Sequence, residues 1–135
     1  MSAVQTENLN IAAFDAMPSP DEIIARAPLT ERAAETVLSG RRALCDILDR
    51  KDPRLFVVIG PCSIHDPEAG LDYARRLKRV ADEVADTLLI VMRVYFEKPR
   101  TSVGWKGYIN DPYMDDSFRI DEGMERARRF LLGQR

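Results

Sequence analysis

Residues 55–67 read LFVVIGPCSIHDP, and the reading of this stretch decides the fold. Leu55 to Ile59 form an unbroken apolar run, three of its five residues β-branched, closed by Gly60 and Pro61. A short run of this kind predicts a strand buried on both faces, as in parallel sheets. Asp66 and Pro67 then supply an N-cap and an N1 proline, so a helix is expected to follow directly. It is expected to run to about Asp86, with Leu71, Ala74, Leu77, Ala81, Val84 and Ala85 inward. Its charged residues, Arg75, Arg76, Lys78, Arg79, Asp82 and Glu83, lie mostly on the opposite face. Residues 88–92, LLIVM, predict a second fully apolar strand.

Downstream, residues 93–112 (RVYFEKPRTSVGWKGYINDP) read as a long irregular loop. Ile120 and Asp121 open a last helix with Met124, Ala127 and Leu131 inward, and Gly133 is placed as its C′ residue. Upstream, residues 1 to about 18 have no clear period and predict an arm, either mobile or docked on a partner subunit. Ser19, Pro20 and Glu22 make a capping box with proline at N1, for a short helix to about Ala27 that Pro28 stops. Thr30 caps a further helical segment, in which Ala33, Ala34, Val37, Leu38, Leu44, Cys45 and Leu48 share a face. Gly40 leaves it open whether this is one helix or two, and residues 51–53, KDP, end it. The order βαβα implies an α/β fold with a parallel sheet. Two strands alone are marginal, so each is expected to need further neighbours.

The totals narrow the function. The chain has 135 residues, a formal net charge of −2, 45% hydrophobic and 31% charged residues. These values suit one ordinary globular domain and argue against a general nucleic-acid or membrane partner. No apolar run approaches the roughly 20 residues of a membrane span. The first residues show no basic n-region and no apolar h-region, so no secretory signal is expected. Two cysteines, Cys45 and Cys62, make no disulfide framework, and a cytoplasmic location is expected.

Within this mildly acidic chain, residues 93–106 carry four cations, Arg93, Lys98, Arg100 and Lys106, against Glu97 alone. That clustering, with Pro99, Gly104 and Gly107 shaping the backbone, points to a small anionic ligand. Cys62 and Arg93 follow the ends of the two strands, and in α/β folds that rim holds the active site. Cys62 is open between a metal ligand or nucleophile and a small buried residue, whereas Cys45 is expected in the core. His65, the sole histidine, makes C-x-x-H with Cys62, but two ligands rarely hold a structural zinc, and it is read as structural. RRLKR at 75–79 is read as a solvated helix face and Trp105 as a packing anchor.

The strings GPCSIHDP and MRVYFEKPRTSVGWKGYINDPYMDDSF resemble type I 3-deoxy-D-arabino-heptulosonate 7-phosphate (DAHP) synthase. The resemblance runs from about residue 30 to the end, and KPRTxxGWKG is its most specific part. It implies a (β/α)8 barrel with an N-terminal extension. The implied reaction joins phosphoenolpyruvate to erythrose 4-phosphate, releasing phosphate, in the first step of the shikimate pathway. It also implies a divalent metal ion of the Mn, Fe, Co or Zn class and a homo-oligomer for the complete enzyme. Carried over, Cys62 is the metal ligand, and Arg93 and Lys98 bind phosphoenolpyruvate. Lys98 also donates a proton near the reacting carbons, and Pro99, Arg100 and Thr101 match the erythrose 4-phosphate motif. A barrel of this type needs ~250 residues. Residues 1–53 are therefore expected to be arm and extension, and 54–135 the first two βα units of an incomplete barrel. The remaining metal ligands fall on later strands, and His65 does not replace them. On this reading the chain is an N-terminal fragment without turnover of its own. The alternative is a non-catalytic module that binds a phosphometabolite or a full-length synthase subunit.

Overall fold

The computed structural model describes residues 7–11, 13–97 and 103–133. Four helices and two strands follow in the order α1 (Pro20–Arg26), α2 (Glu31–Leu48), β1 (Leu55–Ile59), α3 (Pro67–Glu83), β2 (Leu88–Met92) and α4 (Ile120–Leu131). The strands pair in parallel, with Leu55 opposite Leu88 and Ile59 opposite Met92, and α3 makes the crossover between them. Among the described residues no helix is long and apolar enough to cross a membrane.

The helix starts follow from local chemistry. The Ser19 hydroxyl accepts the Glu22 amide at 3.3 Å, while the Glu22 carboxylate accepts the Ser19 amide at 2.7 Å. The two bonds reciprocally satisfy donors that the first turn leaves without a partner. The Thr30 hydroxyl accepts from Ala33, and the Asp66 carboxylate accepts from Glu68 and Ala69. α2 is one helix: Gly40 lies inside it without breaking it. α3 stops at Glu83, three residues before the expected end, and residues 84–87 turn into β2. At the end of α4, Gly133 takes φ +69°, a left-handed conformation that glycine adopts without steric cost.

The core lies away from the sheet. Ile23 and Ala27 of α1, Ile64, Tyr108, and Ala127 and Phe130 of α4 form the buried apolar set. Phe96 joins the Tyr108 ring at 6.1 Å and meets Phe130 edge-on at 5.8 Å. α1 is held on α4 by its C-terminal carbonyls: Arg128 donates to the Ala27 oxygen at 2.6 Å and Arg129 to the Arg26 oxygen at 3.3 Å. These cations also meet the negative end of the α1 dipole.

Burial departs from the sequence expectation in four places. β1 is exposed at every position, from 37% at Val57 to 68% at Leu55, and β2 is half-buried rather than fully covered. No residue of α2 is buried, and Cys45, expected in the core, is exposed. Ala85 is exposed rather than inward. Leu131 is exposed, and Gly123 and Phe130 take the inward face of α4 instead. For β1 and α2 the apolar pattern reports what a surface is suited to meet, whereas burial depends on which described surfaces meet it. Ala85 lies past the end of α3, and Leu131 lies off the face of α4 that carries Gly123, Ala127 and Phe130. RRLKR does form a solvated face, with Arg76 paired to Asp72 at 2.8 Å and Lys78 paired to Asp82.

Candidate functional site

The C-terminal ends of β1 and β2 meet at Gly60 and Arg93. The Arg93 amide donates to the Ile59 carbonyl at 2.8 Å, continuing the parallel ladder. Gly60 has no room for a side chain, because a β-carbon there would lie 2.1 Å from the Arg93 carbonyl oxygen. Past this contact residues 60–63, GPCS, loop outward with Cys62 exposed, and the Ile64 amide closes the loop on the Tyr95 carbonyl at 2.9 Å. Two backbone hydrogen bonds thus bracket the Cys62 loop against residues 93–95. One terminal nitrogen of Arg93 donates to the Gly60 and Pro61 carbonyls at 3.2 and 3.1 Å, and the guanidinium lies 5.6 Å from the centre of the Tyr95 ring. Cys62 and Arg93, expected on one rim, are on one rim.

The basic loop has a built base. Glu97 and Gly107 form an isolated antiparallel bridge, and the Tyr108 amide donates to the Phe96 carbonyl at 2.8 Å. Gly107 sits at φ +127°, and a β-carbon there would approach the Phe96 carbonyl to 2.2 Å. The Asn110 side chain adds a bond to the Glu97 carboxylate at 2.9 Å. Asp111, 2% exposed, holds the far side: its carboxylate accepts the Asp116 amide at 3.2 Å and the Asp115 amide at 3.4 Å. The half-buried Trp105 donates its indole N–H to the Asp111 carbonyl at 2.8 Å, so this tryptophan anchors the loop through a polar contact. Lys98, Pro99, Arg100 and Thr101 lie outside the described residues.

The model of the DAHP synthetase I family matches residues 24–129. The chain belongs to this family. Among curated relatives, the Tyr-sensitive phospho-2-dehydro-3-deoxyheptonate aldolase of Escherichia coli K12 is 51% identical over 125 residues, covering 93% of this chain and 35% of the relative. The phospho-2-dehydro-3-deoxyheptonate aldolase of Corynebacterium glutamicum is 50% identical over 131 residues, covering 97% and 36%. The structure of the Francisella tularensis SCHU S4 aldolase matches with a TM-score of 0.81 at 42% identity, covering 91% of this chain and 37% of that one. The chain spans about a third of the length of these relatives.

For a DAHP synthetase I chain, a metal centre at Cys62 was the expectation. Among the described residues no group of three or more His, Cys, Asp or Glu side chains could hold a metal ion. Cys62 offers one exposed thiol donor, and a metal centre of three or more donors would draw the rest from outside the described residues. A concavity of about 480 Å3 lies away from the strand-end rim, between α3 and α4, with Leu71, Tyr108 and Phe130 among its lining residues. It contains neither Cys62 nor Arg93. Three residues that shape the site were not singled out for it from the sequence: Gly60, Tyr95 and Asp111. Tyr95 gave no clear signal, since in a segment read as an irregular loop the spacing from Arg93 does not fix which side a residue faces.

Proposed function

We propose that this chain forms the helical extension (residues 1–53) and the first two βα units (54–135) of a (β/α)8 barrel, in a cytoplasmic 3-deoxy-7-phosphoheptulonate synthase. The complete enzyme condenses phosphoenolpyruvate with D-erythrose 4-phosphate to give DAHP and phosphate, as an aldol-type transferase of the shikimate pathway and as a homo-oligomer. The observation that carries the reading is β1: five apolar residues, all exposed, on a strand with one described neighbour. A barrel strand of this composition is covered on both faces and paired on both edges. In this reading Arg93 and Lys98 bind phosphoenolpyruvate, Lys98 donates a proton beside the reacting carbons, and Pro99, Arg100 and Thr101 receive the erythrose phosphate. Two phosphates and a carboxylate call for several cations, which the 93–106 segment supplies. Cys62 contributes one donor to a divalent ion of the Mn, Fe, Co or Zn class, whose other donors come from beyond the described residues.

Phosphate release from the two substrates with Mn2+ present tests this, comparing the 135-residue chain with the protein extended to the length of its relatives. The extended protein is expected to turn over and the short chain to give none. Clear turnover by the short chain overturns its assignment as part of a barrel. Inactivity of the extended protein overturns the reaction. The exposed β1 also favours a second reading, a non-catalytic module docked on a phosphometabolite or a full-length synthase subunit. Co-purification of the folded chain with such a subunit supports it, and an unfolded, aggregating chain counts against it.

A further inference from the structure

We infer that Tyr95 is a positioning residue for Arg93, setting the affinity of the site for phosphoenolpyruvate. This rests on the proposed role of Arg93 and deepens it. An arginine at a strand end is a long, flexible side chain, and holding it in one pose costs rotamer entropy on binding. Here the pose is set before any ligand arrives. One terminal nitrogen is held by the carbonyls of Gly60 and Pro61, at 3.2 and 3.1 Å. The guanidinium centre sits 5.6 Å from the centre of the Tyr95 ring, within the range of a cation–π contact.

Tyr95 is itself tied down. Its carbonyl accepts the amide of Ile64, which is buried, so its backbone is fixed to the loop that carries Cys62. Burial then alternates along the segment, exposed at Arg93 and Tyr95 and half-buried at Val94 and Phe96. Phe96 packs on Tyr108 and Phe130, and Val94 lines the apolar groove with Leu71, Leu77 and Ile90, while Arg93 and Tyr95 are both exposed. The ring is therefore placed to face the arginine rather than to fill the core. A guanidinium has five N–H donors, and using one terminal nitrogen for the two carbonyls leaves others for a planar anion.

The test uses the extended, metal-loaded enzyme and measures steady-state kinetics for each substrate. Tyr95→Phe keeps the ring and is expected to stay within about twofold of wild type. Tyr95→Leu removes the ring and is expected to raise the KM for phosphoenolpyruvate about fivefold. The kcat and the KM for erythrose 4-phosphate are expected to stay within about twofold. Tyr95→Met, which fills the volume with a flexible chain, is the second variant should the leucine protein fail to fold. An unchanged KM for phosphoenolpyruvate in either folded variant overturns the inference, as does an equal rise in Tyr95→Phe. A wild-type enzyme without turnover overturns the underlying reading instead.

Discussion

At Gly60 the two strand ends come so close that only a hydrogen atom fits. A β-carbon would meet the Arg93 carbonyl at 2.1 Å, and that neighbour is backbone, which cannot swing aside. Gly60→Ala is therefore expected to cost about 1–3 kcal/mol through overpacking, seen as a lower urea midpoint. An unchanged midpoint would show that the strand ends can separate freely. Asp111 illustrates the opposite case, a buried polar group kept because it is satisfied. Its carboxylate serves two backbone amides and its carbonyl serves Trp105. The sequence placed Trp105 as an anchor but did not name Asp111 as its partner, since a loop aspartate in sequence alone reads as solvated.

Among the elements, α1 depends on a charge. The Ser19 amide and hydroxyl bond to the Glu22 carboxylate and amide respectively, and the first of these holds the Glu22 carboxyl below its ordinary value, with the nearby Arg26 charge adding to it. A depressed carboxyl contributes stability that is complete above its unfolded value, near 4.5, and is lost as the pH falls through the lower folded value. α1 is thus expected to fray on acidification below about pH 4.5, read from backbone chemical shifts of residues 20–26. Glu22→Gln should abolish this acid dependence at the cap while leaving the Ser19 hydroxyl bond. Fraying that follows the same pH course in the glutamine variant would remove Glu22 as the cause. This helix was legible in full from the sequence, cap included, because a capping box is a contact within four residues.

Among the described residues the sheet presents one apolar strand, β1, exposed along its whole length. β1 and β2 pair only with each other among the described residues, and Val58 is 56% exposed in the middle of its strand. An exposed apolar strand is a template for pairing with another chain. The 135-residue chain is expected to self-associate with rising concentration in sedimentation velocity. Val58→Lys, a charge placed on the strand, should shift association to about tenfold higher concentration. Equal association of both proteins would assign the contact to another surface, such as the exposed side of α2.

What the residues determined alone were the features written locally. The strands at 55–59 and 88–92 match the expected bounds, as do the caps at Ser19, Thr30 and Asp66 and the left-handed turn at Gly133. The family strings and the placement of Cys62 and Arg93 at strand ends were equally readable. Only the tertiary structure decided which apolar surfaces are covered. It put the core among α1, α4 and the base of the basic loop, left β1 and Cys45 exposed, and set the Arg93 guanidinium over Tyr95. Caps and strand propensities involve neighbours in sequence, whereas burial and side-chain stacking depend on which distant surfaces are present to meet.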